Sequence, residues 1–211
     1  MMFEVRPKVD PVVQKMYESS MKDLEKFFGF RWDKYRPNII VVKERKTIDK
    51  LFGMKTPGWV TGWCMGWYVY VLDRKNYSRE SSHDYSEEHY STLIKHELVH
   101  VFMKAVSGKD DESPHWLWEG LAVYLSGQNK FHKRPEAFSG FLKYYSSQEV
   151  GKGVYVESGF ALELLIKKFG KKKLLSLVKL LGTANSEKEF KKLFRKVYRF
   201  DLTYKSFNGL I

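Results

Sequence analysis

Apolar residues recur at helical spacing over residues 11–28, where Val12, Val13, Met16, Met21, Leu24, Phe27 and Phe28 follow Pro11 and the run stops at Gly29. Proline in the first turn and glycine just past the last mark this as an amphipathic helix. Residues 36–38 read as a turn and the β-branched run 39–42 as a short strand. Residues 59–72 supply one long interrupted strand or a hairpin. Asp84 followed by Glu87 has capping-box spacing and opens a helix expected over 85–106, stopping before Gly108. Beyond a polar loop at 109–114, the next helix starts at His115 or Trp116 and ends near Gly127. Helical spacing returns over 156–169 and 172–181, divided by Gly170, and Ser186 with Glu189 caps a last helix over 187–197. Residues 131–145 show no clear period. The pattern predicts an α+β chain with a small mixed sheet, strand and helix in its first half and nearly all helix in its second.

Composition narrows the class. A chain of 211 residues that is 43% hydrophobic and 16% aromatic is globular, long enough for a sizeable core, and one domain or at most two by length. We expect a single unit over 1–211, with a mixed subdomain at 1–110 and a helical one at 111–211. Cys64 is the only cysteine, which excludes an internal disulfide framework and a cysteine-rich zinc site. Glu4, Arg6, Lys8 and Asp10 stand where an export signal needs an apolar run, so a cytoplasmic location is expected. The uncharged stretch 56–72 is interrupted by Gly58, Thr61, Gly62 and Gly66 and reads as strand and turn, not as a membrane span. Net charge is +12, and residues 151–211 hold 14 Lys and Arg against 5 Asp and Glu. Such a surface can attract nucleic acid or an acidic partner, although a solvated lysine-rich face is the plainer account. Trp59, Trp63, Trp67, Tyr68 and Tyr70 crowd one segment, either as core or as an aromatic wall beside a cleft.

The sharpest chemical signal is His96-Glu97-Leu98-Val99-His100, a His-Glu-x-x-His pattern inside a predicted helix. Four residues advance about 400° round a helix and about 6 Å along it, so both imidazoles project from one stripe and can meet one ion. Glu97 lies beside them, within reach of a water on that ion without itself binding the metal. Zinc suits such a set, because three protein ligands leave a fourth position for water, whose remaining proton a neighbouring carboxylate can accept. A third ligand is offered by Glu119, with 18 residues between it and His100. A carboxylate among Trp116, Leu117, Trp118 and Leu121 is costly to bury unpaired, and a cation resolves that cost. Gly120 removes a side chain beside it, which would let the two helices approach closely.

The two motifs and the gap between them, with 116–124 reading Trp-Leu-Trp-Glu-Gly-Leu-Ala-Val-Tyr, resemble the gluzincin metallopeptidases, in particular the M1-like, peptidase MA-like group. The resemblance covers roughly residues 38–197 and is strong over 93–125. It implies a zincin-like fold and a zinc peptidase that attacks peptide bonds with metal-bound water. It places one Zn2+ on His96, His100 and Glu119, with Glu97 as general base. That group uses a tyrosine to assist the oxyanion, and Tyr155, expected just ahead of a helix after Gly151 and Gly153, matches it; His115 is a second candidate, otherwise an exposed helix-capping histidine. His83, His89 and His132 read as surface residues and Cys64 as a small buried apolar group. Two departures matter. The Gly-x-Met-Glu-Asn segment that holds a substrate's amino terminus in aminopeptidases is absent, so an endopeptidase or oligopeptidase acting on peptides or proteins is expected. Val123 stands where some relatives place an acid that bonds a ligand histidine. The competing reading is a non-catalytic metal-containing domain that binds nucleic acid or protein through its basic C-terminal face.

Overall fold

The computed structural model describes residues 10–145 and 152–211, with only the backbone of Lys152. Glu4, Arg6, Lys8 and Gly151 lie outside the described residues. Helix α1 (Pro11–Phe28) opens where the Asp10 carboxylate accepts from the backbone of Val12 and Val13 at 3.1 and 3.4 Å, and it closes at Gly29 with φ +78°. Its buried stripe, Val13, Met16, Met21 and Leu24, faces α4 (Glu87–Ser107). The stretch 59–72 is a hairpin and not a single strand: β2 (Gly62–Met65) and β3 (Tyr68–Leu72) pair antiparallel, Gly62 opposite Val71, around a turn at Gly66 with φ +62°. Strand β1 (Asn38–Val42) runs parallel to β3 on its other side. The sheet order is β1-β3-β2, so among the described residues β2 is an edge. Central β3 buries Val69, Val71 and Leu72, and the Tyr90 hydroxyl of α4 donates to Leu72 O at 2.8 Å, fastening that helix to the sheet.

The loop before β2 is held by one guanidinium. Arg45, first residue of α2 (Arg45–Phe52), donates to Val60 O at 2.6 Å and Gly58 O at 3.0 Å, and through Nε to Glu80 O in the short α3 (Tyr77–Glu80). Helix α4 begins two residues later than the sequence suggests. Ser86 and not Asp84 is its cap, accepting from His89 N at 3.1 Å, because its hydroxyl stands directly before the first helical residue.

Helix α5 (His115–Ser126) is buried on nearly every side, as befits a core helix. Pro114 gives it no side-chain cap; instead the carbonyls of Tyr144 and Lys143 accept from His115 N and Trp116 N at 2.8 and 3.0 Å. A 3₁₀ turn follows at Gln128–Phe131. Helix α6 (Lys152–Phe169) starts earlier than its apolar spacing indicates, and α7 (Lys171–Leu180), α8 (Glu187–Tyr198) and a short α9 (Tyr204–Asn208) complete the chain. One continuous buried cluster runs from Val13 to Phe207. Among the described residues no helix is long and apolar enough to cross a membrane.

Gly120 does allow a close approach, but to α6 and not to α4. A Cβ there would lie 2.9 Å from Ser158 O and 2.8 Å from Leu162 Cδ2. Backbone cannot yield as a flexible side chain can, so Gly120→Ala is expected to cost about 1–3 kcal/mol, read as a lowered urea midpoint in equilibrium unfolding.

Candidate metal centre

Helix α4 presents His96 and His100 one turn apart, and α5 brings Glu119 against them. His96 Nε2 and His100 Nε2 are 3.2 Å apart; Glu119 Oε2 is 3.3 Å from the first and Oε1 3.9 Å from the second. An ion bound tetrahedrally at about 2.0–2.1 Å has donor–donor edges of about 3.4 Å, so the three side chains already stand at the spacing that one divalent ion requires. All three are buried, and Glu119 Oε2 has no hydrogen-bond partner. The residues fit a metal on this ground as well as by type, since a buried carboxylate oxygen that makes no hydrogen bond, with an imidazole nitrogen at 3.3 Å, has bonding capacity that a cation would meet.

Electrostatics agree. Burial alone would lower the His96 pKa, but the adjoining Glu119 carboxylate, with Glu97 behind it, outweighs burial and raises it to about 9. Glu119 moves the opposite way: against burial, the charge on His100 and His96 holds its carboxyl down to about 2. The pair is thus held as an ionised couple, one whose proton a divalent ion could replace.

The outer partners were not legible in the sequence. Gln128, just past the left-handed stop at Gly127, places Oε1 2.9 Å from His96 Nδ1. With Nδ1–H donating to that oxygen, the lone pair stays on Nε2, facing the centre. Gln128 thus fills the role for which Val123 offers no acid; Val123 instead packs where Gly159 lacks a side chain. Around His100, Glu112 Oε1 lies 3.7 Å from Nδ1 and the Trp118 ring lies parallel to the imidazole, centroids 6.2 Å apart. Glu112 belongs to the loop read only as polar.

Glu97 is buried beside the centre, and Gly62 makes room for it: a Cβ on Gly62 would meet Leu93 Cδ1 at 2.9 Å and Glu97 Oε1 at 3.2 Å. Strand β2 therefore lies directly against the carboxylate. The centre opens into a cleft of about 660 Å³, which Tyr155, His115's neighbour in space, also lines. Tyr155 sits within the first turn of α6 and not ahead of the helix. Burial raises the pKa of its phenol, and the carboxylates of Glu119, Glu112 and Glu97 push the same way, so it remains a hydrogen-bond donor.

His115 is not an exposed cap. It is 3% exposed, with Nδ1 4.0 Å from Glu119 Oε1, because the 141–145 segment folds over the start of α5. His83, His89 and His132 are exposed along the rim of the cleft and outside the ligand cluster. Cys64 is half-buried on the cleft wall; burial and the Glu97 and Glu112 charges raise its pKa and keep it a thiol. The aromatic segment divides: Tyr70 and Trp63 stack on each other and pack against the core, Trp63 also lining the cleft with Trp59, whereas Trp67 and Tyr68 are exposed at the hairpin end.

Compared with known proteins, the chain matches no family model and no curated protein. The assignment of this centre rests on its own geometry.

Removing the Gln128 amide should weaken divalent-metal affinity by about 10–100-fold, measured for Gln128→Ala by competition with a chromophoric chelator. Acid–base linkage gives a second expectation. At neutral pH an incoming ion must displace the His96 proton, so affinity rises with pH up to about 9, with about one proton released per ion. Indicator-dye proton release on metal addition measures this. In the metal-free protein, the His96 contribution to stability is full below its ordinary 6.5 and lost as pH rises through about 9. The Glu119 contribution is full above 4.5 and lost as pH falls through about 2. The pair therefore stabilises most between 4.5 and 6.5, and chelator-treated protein should show its thermal optimum there.

Proposed function

We propose that this protein is a zinc-dependent peptidase of zincin-like fold, akin to the M1-like gluzincins, that cleaves within peptide or protein chains. The reading is carried by one conjunction: a buried three-donor set, with a buried carboxylate and the open edge of a strand beside it. His96, His100 and Glu119 would hold the ion, and two imidazoles with one carboxylate suit zinc with a position left open. When bound, the ion would supply Lewis-acid polarisation of a carbonyl and a more acidic water.

The chain's own residues do the rest. Burial raises the Glu97 pKa, opposed by His96 and His100 and reinforced by Glu119 and Glu112. A carboxylate shifted toward neutrality is suited both to take a proton and to return it to a leaving amine. Tyr155, kept protonated, can donate to a developing oxyanion from the cleft wall. Strand β2 is paired only with β3 among the described residues, so its other main-chain groups can align an extended substrate segment along the cleft. Phe52, Trp59 and Trp63 would receive apolar side chains from that segment. β2 reads Gly62-Trp63-Cys64-Met65, with no carboxylate to hold an amino terminus, which favours internal cleavage.

Glu97→Gln is expected to retain the metal while losing about 10²–10⁴-fold in turnover; His100→Ala is expected to lose the metal. Elemental analysis beside cleavage of a broad peptide library reads both. Absence of hydrolysis by the wild type, with salt-sensitive nucleic-acid binding that persists in Glu97→Gln, would instead favour an interaction domain using the basic helices α7 and α8.

A further inference from the structure

One buried imidazole has no work in the centre described above. His115 opens α5 one turn before Glu119, is 97% buried by its 3% exposure, and neither of its ring nitrogens has a hydrogen-bond partner. Leaving both unpaired costs the full desolvation of each. Its Nδ1 lies 4.0 Å from Glu119 Oε1, an oxygen that also stands 3.9 Å from His100 Nε2, while Glu119 Oε2 is turned to His96. Glu112 completes a group in which one donor atom from each of Glu112, His115 and Glu119 lies within 4.8 Å of the other two. The Glu112 side chain is 40% exposed, which leaves an ion a way in, and its Oε1 accepts from the Cys64 thiol at 3.7 Å.

We propose that Glu112, His115 and Glu119 form a second divalent-cation site adjoining the first, with the Glu119 carboxylate as the bridge between them. A carboxylate with one oxygen toward His96 and the other between His100 and His115 is placed to bridge two ions. Paired sites of this kind hold their ions about 3.5–4 Å apart. Charge points the same way: Glu112 and Glu119 line the cleft together with Glu97, an acidic wall that draws cations. Two carboxylate oxygens with one imidazole nitrogen suit zinc, cobalt or manganese. The inference shares Glu119 with the first centre but does not depend on the peptidase reading.

The test is metal stoichiometry on the full chain stripped with chelator, using zinc alone, counted by chelator competition and native mass spectrometry. The wild type should bind two equivalents, the second more weakly, and Glu112→Gln and His115→Gln should each bind one. Because His115 is buried and its variants can misfold, the half-exposed Glu112 carries the decision. With manganese, the wild type should give an exchange-coupled two-ion paramagnetic resonance signal that Glu112→Gln lacks. A His96→Ala/His100→Ala double variant should keep a weak equivalent that disappears when Glu112→Gln is added. The proposal is overturned if the wild type stops at one equivalent that Glu112→Gln leaves untouched, or if a second equivalent survives in Glu112→Gln. A single equivalent that survives loss of both His96 and His100 but not of Glu112 would uphold this site and remove the first.

Discussion

A carboxylate buried between two helices sets the terms for this structure. Glu119 sits beneath α4 among tryptophans and leucines, where an ionised group survives only if positive charge meets it at close range. His96 provides that charge from the facing helix, its pKa raised to about 9. Once this contact is fixed, α5 must lie along α4, its first turn must be closed by chain from elsewhere, and its far side must be covered. The 141–145 carbonyls close the first turn, and α6 covers the far side through Gly120 and Gly159. The aromatic cluster of Trp116, Phe141, Phe190 and Phe207 then locks the start of α5 to the C-terminal helices. A small sheet and a larger helical part thereby meet where the Glu97 and Glu119 carboxylates are buried.

The parts of the site that sequence reveals are those fixed by local geometry. His96 and His100 share a stripe because a helix repeats every 3.6 residues, and Glu119 stands out because a carboxylate in an apolar helix needs a reason. Tyr155 on the cleft wall came from resemblance, with its place in α6 misjudged by a turn. Gln128 and Glu112 stayed hidden because their roles depend on where the chain returns after Gly127 and how the 109–114 loop lies over α4. His115 looked like an exposed cap for the same reason: its burial is imposed by residues about 30 positions later, which no local pattern records. The hairpin aromatics were ambiguous, since alternation alone does not tell a cleft wall from a core face.

The fold was legible at a similar grain. Capping glycines at 29 and 108 ended their helices where expected, each in the left-handed conformation that glycine tolerates. The 59–72 segment resolved into a hairpin because Gly66 reverses the chain there. What failed was the start of α4, where two capping side chains stood two residues apart, and the start of α6, where Gly153 meets Gly140 in a backbone approach that apolar spacing does not announce.

The pairing of Gly62 with Val71 has a consequence for how the chain can change over generations. Insertion of a single residue at the tip of the β2–β3 hairpin would slide β2 by one place and exchange its two faces, bringing Thr61 or Trp63 to the spot that only a hydrogen atom fills beside Glu97. The tip is solvent-exposed, yet its length sets which side chain of β2 stands against Glu97.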